Sequence, residues 1–241
     1  MIITAIPYCP KEKVYTHTPY INDKLHNAGR RNQQSNNPTS LTKDLAYAYN
    51  EVMNRVNDDD WVCFLDHDAM FTTYDWYLQI EQAIKQNTDK DIGAYTCYTN
   101  RIGRSGHRQW VERAYPDIVK SVMGKYGYEV SDELVGRYNE NKWKVDFREI
   151  HDIRFHRILG QTIQDKFGNE TMRYPRGGSM SGVMILVSKR CWNDVKFPLG
   201  TQYSGGMLGT DNFFHHALGI NGYKLGMLKG IYLYHWYRAK V

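Results

Sequence analysis

The chain has 241 residues, and its 31 lysines and arginines against 26 aspartates and glutamates give a net charge of +5. Hydrophobic residues make up 41% of the sequence and aromatic residues 14%, which excludes a disordered linker protein and supplies a large buried core. The positive charge is too small and dispersed for a duplex nucleic-acid interface, but it suits an anionic small molecule such as a nucleotide phosphate. We therefore expect no nucleic-acid partner.

The first apolar run, Ile2–Ile6, ends at Pro7 and predicts a buried strand, because it is too short for a signal peptide and lacks a basic flank. No window of the sequence approaches the roughly eighteen apolar residues that a membrane span needs. Three of the four cysteines (Cys63, Cys97 and Cys191) lie in apolar runs, which is typical of buried thiols in a reducing compartment. We therefore expect a cytoplasmic protein without a membrane span.

Helices and strands alternate in the first hundred residues. The spacing of apolar residues predicts a helix between Leu41 and Val56, a buried strand over Trp61–Leu65, a helix over Asp75–Gln86 and a third strand over Ile92–Tyr98. This alternation predicts an α/β fold with a mainly parallel central sheet flanked by helices. No linker divides the chain, so we expect a single domain over residues 1–241.

The pattern is less regular between Asn100 and Arg176, where only amphipathic pieces such as Ile118–Met123 and Phe147–Ile163 stand out. After this segment the sequence predicts a strand over Val183–Val187, a short helix from Ser188 to Val195, a helix over Asp211–Leu218 and closing strands over Tyr223–Leu228 and Ile231–Trp236. The later elements therefore complete the α/β pattern of the first hundred residues.

Two carboxylates, Asp66 and Asp68, directly follow the predicted strand Trp61–Leu65. In an open α/β sheet, ligands bind in the crevice outside the carboxyl ends of the strands. Carboxylates one residue apart can bind Mg²⁺ or Mn²⁺, which keep open positions for diphosphate oxygens. An isolated Asp-x-Asp is a solvated turn in most proteins, so a metal site and a plain turn both stay open on the residues alone.

Two further residues in the C-terminal half could take part in chemistry. Asp211 begins a predicted amphipathic helix, whose N-terminus would stabilise a carboxylate able to accept a proton, but an ordinary N-cap is the alternative. His235 lies in an aromatic strand, where a histidine is more often a core or edge residue than a ligand. The remaining histidines of interest lack the spacing of a helical zinc pair, so we expect solvated or capping roles for His151, His156, His215 and His216.

A series of short motifs runs through the chain in a fixed order. They are Asp66–Phe71, the glycine-rich Gly177–Gly182 before a strand, Phe197-Pro198, Gly209–Phe214 and Tyr234–Tyr237. In this order and spacing, the sequence resembles the GT-A glycosyltransferases, particularly the large inverting, family-2-like group that uses nucleotide-diphosphate sugars. The resemblance covers most of the chain outside residues 8–38 and 100–176.

The resemblance implies a Rossmann-like GT-A fold and assigns roles to the candidate residues. It implies that Asp66 and Asp68 bind Mn²⁺ or Mg²⁺, with Asp66 also contacting the donor ribose, and that His235 completes the metal shell. It further implies that Asp211 is the catalytic base. The acidic pair usual in that family is here Thr210-Asp211, so only one carboxylate is present at that position.

The same resemblance implies a UDP- or GDP-linked sugar donor and a glycan or other hydroxyl acceptor. We expect Pro7, Tyr8, Asp44 and Asp66 to bind the nucleotide, with Asp44 in place of the aspartate that commonly reads the base. The segment 100–176 is expected to be an insertion on the acceptor side. Within it, Arg101, Arg104 and Arg108 follow the third strand as a basic loop, for which a phosphate or acceptor contact and a solvated loop both stay open.

Two functions remain as alternatives at this point. The first is a metal-dependent glycosyltransferase that transfers a sugar with inversion. The second is a non-catalytic nucleotide- or carbohydrate-binding domain that holds a structural divalent ion. Close placement of Asp66, Asp68 and His235, with Asp211 beside them, favours the enzyme, whereas a wall between Asp211 and the metal site favours the binding domain.

Overall fold

One sheet organises the fold of the computed structural model, which describes residues 1–5, 45–66, 68–102, 107–128, 147, 150–199 and 209–236. Within these ranges the sheet has seven strands in the order β1-β2-β6-β4-β7-β3, and β5 pairs with β7 beside this path. The strands are β1 (Ile2–Ala5), β2 (Trp61–Leu65), β3 (Ala69–Phe71), β4 (Ile92–Thr99), β5 (Thr171–Arg173), β6 (Met184–Ser188) and β7 (Lys224–His235).

Seven helices are present in the same part of the chain. They are α1 (Leu45–Met53), α2 (Trp76–Gln86), α3 (Val111–Ala114), α4 (Pro116–Lys125), α5 (Ile153–Phe167), α6 (Lys189–Asp194) and α7 (Thr210–Ile220). The class is therefore α/β, as the alternating pattern predicts. None of the described helices is long and apolar enough to cross a membrane.

The sheet is mixed, which corrects the prediction of a mainly parallel sheet. Among the described strands, β1–β2 and β4–β7 pair in parallel, and the other four pairings are antiparallel. The strands β1, β2, β4 and β7 therefore run in one direction, and β3, β5 and β6 run in the other. Apolar runs could not reveal this difference, because a strand buried on both faces has the same composition in either direction.

The strand directions bring four chain segments to one edge of the sheet. The carboxyl ends of β2, β4 and β7 meet there with the amino end of β6, because β6 lies antiparallel between β2 and β4. Asp66, Asn100 and His235 therefore share this edge with Gly182, which precedes β6. This edge is the place where an open α/β sheet holds a ligand.

Both faces of the sheet are covered. The side chains of β2 alternate, so that Val62 and Phe64 join one buried cluster with α1, α4, α5 and α7, while Cys63 and Leu65 join the other with α2. Cys63, Cys97 and Cys191 are all buried free thiols, as their apolar surroundings predict. Packing on both faces therefore fixes the end of β2, and with it the position from which the chain continues to Asp66 and Asp68.

The two predicted closing strands are a single strand, β7. The sequence Lys229-Gly230 looks like a turn, but the chain continues through it with a shift in register against β4 between Cys97 and Tyr98. A side chain at Gly230 would place its Cβ 2.1 Å from the carbonyl oxygen of Gly168, so the glycine permits a close chain approach instead of a turn. The short strands β3 and β5, which the periodicity did not predict, pair with this long strand.

The described part of the segment 100–176 supplies both a helix that packs on the sheet and a strand of the sheet. The helix α5 packs against β7, and β5 pairs with the same strand. The structure begins α5 at Ile153 with Asp152 as the N-cap, whose side chain accepts a hydrogen bond from the Arg154 amide. The expectation that this segment borders an acceptor stays a prediction.

Candidate functional site

The three side chains that the resemblance implies as metal ligands form one cluster at the ligand edge of the sheet. Asp66, Asp68 and His235 each offer a ligand atom, and these atoms lie within 4.8 Å of one another. The His235 Nε2 lies 3.0 Å from Asp68 Oδ1 and 3.7 Å from Asp66 Oδ2. The side chain of His235 is 4% exposed, whereas those of Asp68 and Asp66 are 16% and 36% exposed, so the cluster opens to solvent on its carboxylate side.

Backbone hydrogen bonds hold the two aspartates near the histidine. The Asp66 amide donates to the Val183 carbonyl at 3.1 Å, and the Ala69 amide donates back to the Asp66 carbonyl at 3.1 Å. The chain then enters β3, where Ala69 pairs with His235 in the antiparallel register. The Trp236 amide also donates to the Asp68 carbonyl at 2.9 Å, so backbone pairing holds Asp68 against the end of β7.

The proton arrangement of His235 makes the cluster suitable for a cation. Its Nδ1 lies 2.7 Å from the Arg101 carbonyl, to which it donates, so the Nε2 of a neutral ring presents a lone pair to the Asp68 carboxylate. Only a proton or a metal ion at Nε2 makes this contact favourable. Burial disfavours the charged ring, but the Asp68 hydrogen bond and the charges of Asp66 and Asp68 outweigh it and raise the pKa of His235.

This set of donors fits a divalent cation. Carboxylate oxygens suit hard cations such as Mg²⁺ and Mn²⁺, and an imidazole nitrogen suits first-row transition metals. A histidine ligand whose second nitrogen donates to a backbone carbonyl is the usual arrangement at metal sites, since that bond fixes the ring. The residues therefore support a divalent metal site.

Asn100 is a supporting residue that the sequence analysis missed. It is fully buried after β4, and its Oδ1 accepts from the His235 amide at 2.7 Å while its Nδ2 donates to the His235 carbonyl at 3.3 Å. These two bonds hold the backbone of His235 in place. The available signal was the position of Asn100 at the end of a predicted buried strand, which is the same signal that marked Asp66.

Asp211 lies in the first turn of α7, as predicted, but it is not the N-cap. Gly209 occupies the N-cap position. The Asp211 Oδ2 accepts from the Gly182 amide at 2.7 Å, and its Oδ1 accepts from the amide and side-chain nitrogens of Asn212 at 2.8 and 3.0 Å. These hydrogen bonds join the first turn of α7 to the glycine-rich loop before β6.

Asp211 and the metal cluster flank the same two residues before β6. Asp211 accepts from the Gly182 amide, and the Asp66 amide donates to the carbonyl of the next residue, Val183. The buried phenol of Tyr49 lies near both carboxylates. Burial raises the pKa of Tyr49, and the negative charges of Asp66 and Asp211 raise it further. Within the described residues, these contacts bring Asp211 to the same edge of the sheet as the metal cluster.

A buried glutamine holds the glycine-rich loop that supplies the Gly182 amide. Gln109 accepts from the Ser181 amide at 2.7 Å and donates to the Ser181 carbonyl at 3.0 Å. The Tyr174 hydroxyl donates to the Ser179 carbonyl at 2.6 Å in the same loop. Neither Gln109 nor Tyr174 was found from the sequence, since nothing in their local pattern shows a contact with a distant loop.

The other histidines only partly follow the prediction of solvated or capping roles. His156 is fully buried: its Nε2 donates to the Ile150 carbonyl at 2.7 Å, and its Nδ1 accepts from the Tyr232 hydroxyl at 2.8 Å. Burial lowers the pKa of His156 to about 4, so this ring is a neutral core residue and the prediction for it is wrong. His151 contacts the Tyr234 hydroxyl at 2.9 Å, and burial lowers the pKa of His215.

His216 is exposed, in agreement with the prediction. Three of the residues assigned to the nucleotide, Pro7, Tyr8 and Asp44, lie outside the described part of the chain, as do His67 and Arg104. Their roles stay predictions. Of the nucleotide candidates, Asp66 is described, and it belongs to the metal cluster.

No family model matches the sequence, and no curated protein is significantly similar to it.

Proposed function

We propose that this protein is a metal-dependent GT-A glycosyltransferase that moves a sugar from a UDP- or GDP-linked donor to a hydroxyl acceptor with inversion. The observation that carries the proposal is the meeting of Asp66, Asp68 and His235 at the ligand edge of the sheet. A proton or a cation between the histidine nitrogen and the carboxylate, which lie 3.0 Å apart in a partly open cluster, makes this contact favourable. A divalent ion that carries a diphosphate is such a cation.

In this proposal the chain's own residues bind the donor and accept a proton. Asp66, Asp68 and His235 would hold Mn²⁺ or Mg²⁺, which when bound supplies charge neutralisation for a leaving diphosphate. Asp211 accepts the proton of the acceptor hydroxyl as that oxygen attacks the anomeric carbon. A carboxylate has about four acceptor positions, and the protein fills three on Asp211, which leaves one on Oδ2 for the hydroxyl.

A direct experiment uses a panel of UDP-, GDP- and dTDP-sugars with Mn²⁺. Thermal shift identifies the donor that binds, and chromatography then measures release of the nucleoside diphosphate with and without hydroxyl acceptors. We expect one donor class to raise the melting temperature only with metal present, and to be turned over. The matched control is Asp165→Asn, which removes an exposed carboxylate of α5 and should behave as the unmodified protein.

One observation favours the alternative of a non-catalytic binding domain. Asp211 accepts three hydrogen bonds from its own chain, so it has a structural role whether or not it also accepts a proton. The two functions separate on turnover. Metal-dependent donor binding with neither transfer nor hydrolysis, across the whole panel of acceptors, would support the binding domain.

A further inference from the structure

A groove runs along α7 on the side that faces the glycine-rich loop. It encloses about 630 Å³ and is lined by Gly177–Ser179 of the loop and by Asn212, His215 and His216 of the helix. A second hollow of about 250 Å³ shares Gly177, Gly178 and His215 and continues to Arg176. Asn212 donates two hydrogen bonds to Asp211, so the groove begins beside the proposed base.

Four basic side chains lie at this groove or its rim, and two of them are neutralised. Arg173 contacts Asp89 at 2.8 Å, and Lys224 contacts Asp91 at 2.5 Å and Asp89 at 3.5 Å. Arg108 and Arg176 are exposed and make no ion pair within the described part of the chain. Among the described residues, two arginines at the groove therefore have no ion-pair partner.

The Arg108 side chain packs against Gly178 of the loop, which lines the groove. A Cβ at Gly178 would lie 2.3 Å from Arg108 Cγ and 3.1 Å from its Nε. The arginine side chain therefore occupies the space that a side chain at position 178 would need. The Arg108 amide also donates to the Tyr174 hydroxyl at 2.9 Å. Burial is the largest cause of the raised pKa of Tyr174. The charge of Arg108 lowers this pKa and that of Asp211 raises it, so both charges act on the Tyr174 hydroxyl.

We propose that this groove binds an acceptor that carries a phosphate or carboxylate group, with Arg108 and Arg176 contacting the anion while a hydroxyl of the same molecule reaches Asp211. The proposal rests on the proposed glycosyltransferase function and names the substrate class of that site. Guanidinium groups bind phosphate and carboxylate through paired hydrogen bonds, which gives both affinity and orientation.

The test measures the binding of glucose 6-phosphate, glucuronate and glucose to the metal-free protein by calorimetry or ligand-observed NMR. We expect either or both charged sugars to bind at least about tenfold more tightly than glucose, because a charged contact contributes more than a neutral one. The double variant Arg108→Gln with Arg176→Gln should lose this tenfold preference. The matched control is Arg190→Gln, which removes an exposed arginine of α6 and should keep the preference.

Three results would overturn the assignment: equal affinity for charged and neutral sugars, a preference that survives in the double variant, or displacement of bound glucose 6-phosphate by UDP or GDP without metal. The last result would mean that the arginines hold the donor diphosphate. A preference for glucose 6-phosphate alone identifies a phosphate acceptor, and one for glucuronate alone identifies a carboxylate acceptor. Failure of the proposed function itself is separate, because it appears as the absence of Mn²⁺-dependent nucleotide binding.

Discussion

Replacement of Asp211 by asparagine separates its structural role from its chemical one. The Asp211 carboxylate uses both oxygens as acceptors, one for Gly182 and one for Asn212. An amide in its place turns one oxygen into a donor, which must face either the Gly182 amide or the two Asn212 donors. At least one hydrogen bond to a charged group is therefore lost, which costs about 1.5–3 kcal/mol.

The expected loss of stability is measurable. For a chain of this size, each kcal/mol lowers the melting temperature by about 2–4 °C, so Asp211→Asn should lower it by roughly 3–12 °C. Turnover should fall by about a hundredfold or more, the usual range for loss of a general base, while Mn²⁺-dependent nucleotide affinity changes little. Differential scanning fluorimetry, nucleotide calorimetry and product release measure these three quantities.

The control is a variant that also loses stability, but far from the site. Ser188→Ala removes the N-cap of α6, whose hydroxyl accepts from the Cys191 amide at 3.1 Å, and it should cost about 1 kcal/mol. Ser188 ends the antiparallel strand β6, at the edge of the sheet opposite Asp66, so its turnover should be unchanged. Near-native turnover in Asp211→Asn would refute the base assignment and leave Asp211 as a residue that joins α7 to the glycine-rich loop.

Three further predictions concern two residues of the metal cluster and its support, Asn100 and His235, and one residue of the core, His156. Asn100→Ala should lower the melting temperature and weaken Mn²⁺ binding by about 10–100-fold in a metal titration, because it frees the backbone of His235; unchanged Mn²⁺ affinity would contradict a supporting role. Mn²⁺ affinity should fall as the pH is lowered through the raised pKa of His235, since a proton then occupies Nε2, and a pH-independent affinity would remove His235 from the ligand set. His156 has a pKa of about 4 against an ordinary value of 6.5, so the unfolded chain binds the extra proton between these values and stability should fall by about 3 kcal/mol as the pH drops through that window. Urea unfolding of His156→Gln at pH 7 and pH 4.5 should lack that part of the pH dependence.

Local patterns predicted the buried strands and the order of the elements well. The runs at Trp61–Leu65 and Ile92–Tyr98 are strands because apolar, β-branched and aromatic side chains fill both faces of the sheet. The pattern could not predict strand direction, which is decided by how the chain returns to the sheet. It also divided β7 at Gly230, since the close approach to Gly168 that explains this glycine is a tertiary contact.

The same limit explains what was found and missed at the site. Asp66 and Asp68 were found because they follow a buried strand within a recognisable motif, and their meeting with His235 agrees with the ligand set implied by the resemblance. Asn100 and Gln109 were missed because their partners lie more than 70 residues away along the chain. His156 was misjudged for a related reason, since the Tyr232 hydroxyl that donates to it lies 76 residues away along the chain, on β7.

The most direct test of the central claim is calorimetric titration of UDP and GDP into the protein with and without Mn²⁺, using Asp68→Asn as the ligand variant and Asp165→Asn as the matched control. We predict that Mn²⁺ raises the affinity for one nucleotide by at least about tenfold, equivalent to about 1.4 kcal/mol, in the unmodified protein and the control. Asp68→Asn should lose this increase, because the ion loses an anionic ligand next to His235. Equal affinity with and without Mn²⁺ in the unmodified protein, or an increase that survives in Asp68→Asn, would contradict the metal-dependent site.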